Sequence, residues 1–201
     1  MAGRLTVLSD DRLDALRPII AARMKAAAEI VAQGAFEEFF DSTMREFLVD
    51  GLEHLGAHEG TVWLLDERRE FLVPRFNSGP NAGKIVGQFR QSLRAGMISM
   101  VVATEQPICE NEMFQNQRQD KTLDDKLKLV TCAMLAVPFY FGGELRGVIS
   151  GVQLRTPDSA PAEPLHFSLD DLSALQRTAS VLSRMIEHQL YGMALGMEDF
   201  A

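Results

Sequence analysis

Apolar positions near the start of the chain recur at helical spacing. Leu13, Leu16, Ile20, Met24, Ala27 and Val31 trace one stripe behind Asp10 and Asp11, residues suited to capping a helix. Pro18 interrupts the stripe: either the helix starts near Arg17 with Pro18 in its first turn, or a longer helix is kinked there. Gln33-Gly34 breaks the pattern. Phe36, Phe40, Met44, Phe47, Leu48, Leu52 and Leu55 then predict a second helix from about Ala35 to Leu55, stopped by Gly56. The middle of the chain changes period. Thr61 to Leu65 is β-branched and aromatic, and with the charged turn 66–70 and Phe71 to Val73 it predicts a hairpin. A turn-rich stretch, Asn77 to Gly83, precedes an alternating segment, Ile85 to Leu93, that predicts a third strand. Gly96 opens a short helix over Met97–Thr104. Gln115 to Lys128 carries seven charges in 14 residues and predicts a solvated helix or mobile loop. Thr131 to Phe141 and Leu145 to Leu154 are two further strands joined at Gly142-Gly143. Residues 155–167 hold three of the eight prolines and predict an exposed linker. Ser168 with Asp171 then forms a capping box, and Leu172, Leu175, Ala179, Leu182, Ile186 and Met193 continue in near-heptad order.

Five short strands with tight turns and flanking helices favour a mostly antiparallel sheet with helices packed on it, an α+β domain. The chain has 201 residues, enough for one domain plus extra helices. Its net charge of −8 disfavours a broad nucleic-acid surface. The longest uncharged run, Leu129 to Gly143, has 15 residues, short of the roughly 20 that span a membrane. The first residues lack the apolar block of a secretory signal, and two cysteines make no disulfide framework. A cytoplasmic protein that engages neither membrane nor nucleic acid is the expectation.

Candidate chemistry is sparse. Gly79 to Lys84 is one residue short of a phosphate-binding loop, Ile85 replaces its hydroxyl residue, and a strand is expected where a helix is required. A plain turn is the better reading. His54 and His58 are four apart, but Gly56 lies between them and no cysteine is nearby, so no metal site is expected. Cys109 and Cys132 have no flanking ligand pattern. Glu110 and Glu112 suggest a rim position, while Met97, Met100, Met113 and Met134 suit either a pocket wall or ordinary core.

Several segments together resemble one family. They are Gly60-Thr61-Val62-Trp63-Leu64-Leu65-Asp66, the helix from Gly96 to Thr104-Glu105-Gln106-Pro107, Met134-Leu135-Ala136-Val137-Pro138-Phe139, Gly143 to Ile149, and Phe167 to Leu172. In order and spacing they resemble the GAF family of small-molecule sensor domains over roughly residues 36–190. The resemblance implies a PAS-related twisted antiparallel sheet with helices on both faces and long N- and C-terminal helices. It divides the chain into an N-terminal helical extension (1–34), a GAF-like domain (35–190) that includes its long C-terminal helix (168–190), and a tail (191–201). Three chemical branches of the family do not match. Gln88 and Ile98 stand where the free methionine sulfoxide reductases keep cysteines, and no cysteine lies in 114–128. Ala133 follows Cys132 where bilin-binding domains commonly have histidine, and the NKFDE signature of the cyclic-nucleotide branch is absent.

The implied cavity lies between the sheet and a roof formed by Met97–Thr104 and the following segments. Phe76, Met97, Val101 and Met134 are its expected apolar walls; Asn77, Arg90, Glu112 and Ser150 are its expected polar lining. Arg90 has two readings, an anion-holding guanidinium or an outward surface charge. Overall, the resemblance implies a non-catalytic sensor or regulatory module in signal transduction. It would bind a small metabolite of unknown identity, hold no metal, and form a homodimer through its terminal helices, with any output on a separate protein. The alternatives are a scaffold whose cavity is filled by its own side chains and, less favoured, a GAF-type reductase.

Overall fold

The computed structural model describes residues 11–156 and 166–197. The expected cap at Asp10, most of the linker 155–167 and the end of the tail lie outside the described residues. The chain opens with α1 (Asp11–Ile30), which contains Pro18, so the longer-helix alternative holds. A π-helical turn, Val31–Ala35, takes up the Gln33-Gly34 break. The helix expected from Ala35 to Leu55 is two: α2 (Phe36–Phe39) and α3 (Ser42–His54). The split falls at Asp41 because its carboxylate caps α3, accepting from the Met44 N–H at 2.9 Å.

The hairpin is present as β1 (Glu59–Leu65) and β2 (Phe71–Asn77). The strand expected over Ile85–Leu93 is not. That segment is a one-turn helix, α4 (Ala82–Ile85), followed by a two-residue strand, β3 (Gln91–Ser92). Gly87 between them has φ +69°, a left-handed conformation that ends any extended run. Next come α5 (Met97–Thr104), β4 (Ile108–Glu110), a 3₁₀ turn at Met113–Gln115 and α6 (Thr122–Leu127). β5 (Val130–Phe141) and β6 (Glu144–Arg155) form the long central pair, and α7 (Leu169–Leu195) closes the described chain. The capping box at Ser168 and Asp171 is formed.

The six strands make one antiparallel sheet in the order β3-β2-β1-β6-β5-β4. Its two faces bury different cores. On one, Val62, Leu64, Leu135, Val137, Phe139 and Ile149 pack against buried residues of α1, α2, α3 and α7. On the other, Trp63, Leu65, Ala136 and Val148 meet Ile85, Phe89, Ile98 and Val101. Alternation along each strand assigns the sides. Gly147 is required for a reason other than the nearby turn: it pairs with Leu64 of β1, and a Cβ there would run into the Trp63 carbonyl oxygen. Pro138 lies just past the residues of β5 that pair with β4, and the register shifts one residue later, so the missing N–H falls where that strand is locally an edge.

Candidate functional site

Between the second face of the sheet and the roof is a cavity of about 80 Å³. Sites that enclose drug-sized ligands have roughly 300–1,000 Å³. This one therefore suits a few waters or a compact molecule. Its floor is Glu59, Thr61 and Trp63 of β1, Asn77 of β2, Thr131 and Met134 of β5, and Ser150, Val152 and Leu154 of β6. Each group obeys the two-residue period within its strand, apart from a register shift between Thr131 and Ala133. Its roof is Gly96, Met97 and Ile98 at the start of α5, Met113, and Gln119 to Leu129 around α6. The charged segment 115–128 thus closes the space, with Leu123 and Leu127 turned onto the apolar core.

Most polar lining groups are spent on one another. The Trp63 indole N–H donates to Ser150 Oγ at 2.9 Å. Asp124 accepts from the Thr131 N–H at 2.8 Å, the Thr131 hydroxyl at 2.8 Å and Gln119 Nε2 at 3.0 Å. Asp120 accepts from Gln91 Nε2 at 2.9 Å and from the Thr122 hydroxyl and N–H, and these bonds, the hydroxyl's foremost, hold its carboxyl below the ordinary range. These links bind the roof to the sheet.

Glu59 differs. It is 7% exposed, and among the described residues its carboxylate accepts one hydrogen bond, from Asn77 Nδ2 at 3.5 Å. That amide donates better to Thr61 Oγ1, at 2.9 Å. Burial pushes the Glu59 carboxyl above its ordinary range, against smaller opposing effects from Asn77 and the charge of His58. On the roof, the buried Gln119 Oε1 has no partner among the described residues.

Four of the eight residues expected at the site line the cavity: Asn77, Met97, Met134 and Ser150. The other four do not. Phe76 faces the opposite side of the sheet, edge-on to Phe40, because neighbours in a strand point opposite ways. Arg90 is exposed, paired with Asp66 at 2.5 Å and lying over the Phe71 ring, so the outward reading holds. Val101 is fully buried in the core beside the cavity. Glu112 is exposed on the rim, its N–H donating to Glu110 Oε1 at 3.0 Å. Sequence reasoning missed Glu59, Asp120, Asp124, Gln91 and Gln119. For Glu59 a signal existed: an acid sharing strand parity with Thr61 and Trp63.

The remaining candidates lie outside the cavity. Cys109 donates to the Phe167 carbonyl at 3.5 Å, Cys132 is buried, and neither lines the site. Burial, foremost, pushes both thiols up, away from the reactive thiolate. His54 bonds to the Asp50 carbonyl and His58 to the main chain of Leu154. No cluster of three or more metal-ligating side chains occurs among the described residues. Gly79 to Lys84 leads into α4, so a helical turn follows it after all, with Lys84 Nζ donating to Asn81 Oδ1 at 2.9 Å.

A family model described as GAF domain matches residues 37–187. The chain belongs to the GAF domain family. Similar solved structures include the GAF domain of an Acinetobacter phosphoenolpyruvate-protein phosphotransferase, at 21% identity and TM-score 0.57, covering 94% of this chain and 99% of that one. The corresponding GAF domain from Coxiella burnetii is 19% identical with TM-score 0.60, covering 89% and 96%. The type II free methionine-R-sulfoxide reductase of Thermoplasma acidophilum is 17% identical with TM-score 0.57, covering 76% and 95%. No curated protein matches the chain. At these identities the likeness carries the fold.

Proposed function

We propose that this GAF-family chain is a non-catalytic sensor or regulatory module of the cytoplasm that binds one compact metabolite between sheet and roof and works as a homodimer. The observation that carries the reading is the cavity itself, apolar at Met97, Met134 and Ile98 yet holding an under-partnered buried carboxyl at Glu59. A space meant only as core would be filled with apolar side chains. Support for the absence of catalysis comes from the two thiols, which are away from the cavity and pushed toward the inert protonated form. No helix among the described residues is long and apolar enough to cross a membrane, in keeping with the proposed compartment.

The self-filled scaffold is the second reading, favoured by the small volume and by the internal bonds of Asp120 and Asp124. Native mass spectrometry of gently purified protein separates the two. Ligand sensing expects a small mass excess per chain that is lost on denaturation. A bare chain mass, with no small molecule found to perturb Trp63, would leave the scaffold.

A further inference from the structure

We infer that the cavity selects a compact ligand bearing a cationic N–H donor, an ammonium or amidinium, and that Glu59 is the residue that receives it. The inference rests on the ligand-binding reading above and adds the chemical class. The cavity has three ionisable lining residues, Glu59, Asp120 and Asp124, all acidic; none of its lining residues is Lys, Arg or His. An anion entering there would meet three carboxylates and no counter-charge, so charge complementarity excludes it more strongly than it rewards any one cation.

Asp120 and Asp124 already accept three hydrogen bonds each from protein groups. Glu59 has one, at the limit of a hydrogen bond. No ion pair involves it among the described residues, and the adjacent His58 is engaged by the main chain of Leu154. A carboxylate can accept about four hydrogen bonds, so Glu59 has capacity that the fold leaves unused. The chain also makes room for it. A Cβ at Gly79 would run into the Glu59 carboxyl carbon, so glycine at that position is what lets the buried acid sit there. A donor brought by a ligand would complete this group, and a charged donor would offset its burial more fully than a neutral one. Met97, Met134 and Ile98 take up the remainder of a small apolar body.

Trp63 is the single tryptophan of the chain and lines the cavity, so its fluorescence reports occupancy directly. The experiment titrates the full-length protein with three molecules of matched shape: isobutylamine as its ammonium, neutral isobutanol and isobutyrate. Trp63 emission and the chemical shift of its indole N–H are the readouts. The expected order is ammonium over alcohol over carboxylate. In Glu59→Gln the preference for the ammonium over the alcohol should fall by about tenfold. Equal or better binding of the carboxylate in the wild type would overturn the inference while leaving the cavity a ligand site. An unchanged preference in a folded Glu59→Gln would remove Glu59 from the role. If that variant does not fold, the wild-type order alone decides. If none of the three, nor any co-purified molecule, perturbs Trp63, it is the ligand-binding reading that falls.

Discussion

At Glu59, burial holds the carboxyl above its ordinary range because one long contact to Asn77 does not replace the lost water. The sign of the consequence follows from proton counting. Between the ordinary carboxylate range and the raised folded value, the folded chain holds more protons than the unfolded one. Stability from this group therefore falls as pH rises through that window. Glu59→Gln removes the ionisation, so at pH 7 without ligand the variant should melt higher, by about 2–4 °C, with the gain vanishing below the ordinary carboxylate range. Calorimetry at a series of pH values checks this; a lower melting point at neutral pH, or a gain that persists in acid, would show the carboxylate is structural. Glu29 gives the opposite sign on the same curve. The hydrogen bond from the buried Arg146 guanidinium, 2.6 Å away, holds its carboxyl down, so its contribution is present above the ordinary range and is lost as pH falls. At this scale the sequence was half legible. Asn77, Met97, Met134 and Ser150 were found, but placing the adjacent Phe76 and Asn77 on one side of a strand conflicts with its two-residue period. The roof acids were hidden because their role depends on bonds to Thr131 and Gln91, across contacts that no local pattern encodes.

Elements bounded by strong local chemistry were readable, and short ones were not. The capping box, the positive-φ pair Gly142-Gly143 and the helix behind Gly96 each carry a signal that no distant contact must supply. β4 is three half-buried residues and β3 only two, the buried Gln91 and the half-buried Ser92, so pairing alone makes them strands. Just before β3, the buried Ile85 and Phe89 stand four residues apart, a spacing that one strand face and one helical turn share, so the pattern alone does not tell strand from helix there. One junction of elements matters for any signal. After β4, Asn111 grips Phe167, the residue before the α7 cap: its Nδ2 donates to the Phe167 carbonyl at 2.9 Å, and its Oδ1 accepts from the Phe167 N–H at 2.7 Å. Met113, two residues on, lines the cavity. Asn111→Ala strands the Phe167 N–H, leaves its carbonyl only the weak Cys109 thiol as donor, and should cost about 1–3 kcal/mol. Amide exchange in the first turn of α7 should rise more than exchange in β6. Uniform protection across both elements would mean the clip does not hold α7 to the roof.

The apolar stripe of α7 is largely consumed within the chain. Leu175, Ala179, Leu182, Ile186 and Leu190 are buried against the sheet and the neighbouring helices, so the stripe itself cannot serve as an interface. Charged residues at Leu182 or Ile186 would unfold the domain before they could report on assembly. What remains uncovered lies elsewhere. Leu16 and Ile19 of α1, with Tyr191, Met193, Leu195 and Met197 at and just beyond the end of α7, are 43–52% exposed. Arg23 Nη1, in the second half of α1, donates to the Ala194 carbonyl at 3.3 Å, which sets α1 against the end of α7, the two elements that carry these residues. Exposed apolar groups on two elements so joined mark an interaction surface. A second copy of the chain presents the same groups, and a two-fold contact would cover both sets at once. The expected result is a dimer at micromolar concentration in multi-angle light scattering. Ile19→Glu with Leu195→Glu should give monomers whose melting temperature, at monomer-only concentration, stays within a few degrees of the wild type, because substitutions at exposed positions usually change stability by about 0.5 kcal/mol or less. A monomeric wild type would end the proposal. A double variant that still dimerises would move the interface to the open stretch of β5 beside Tyr140, where β4 no longer pairs.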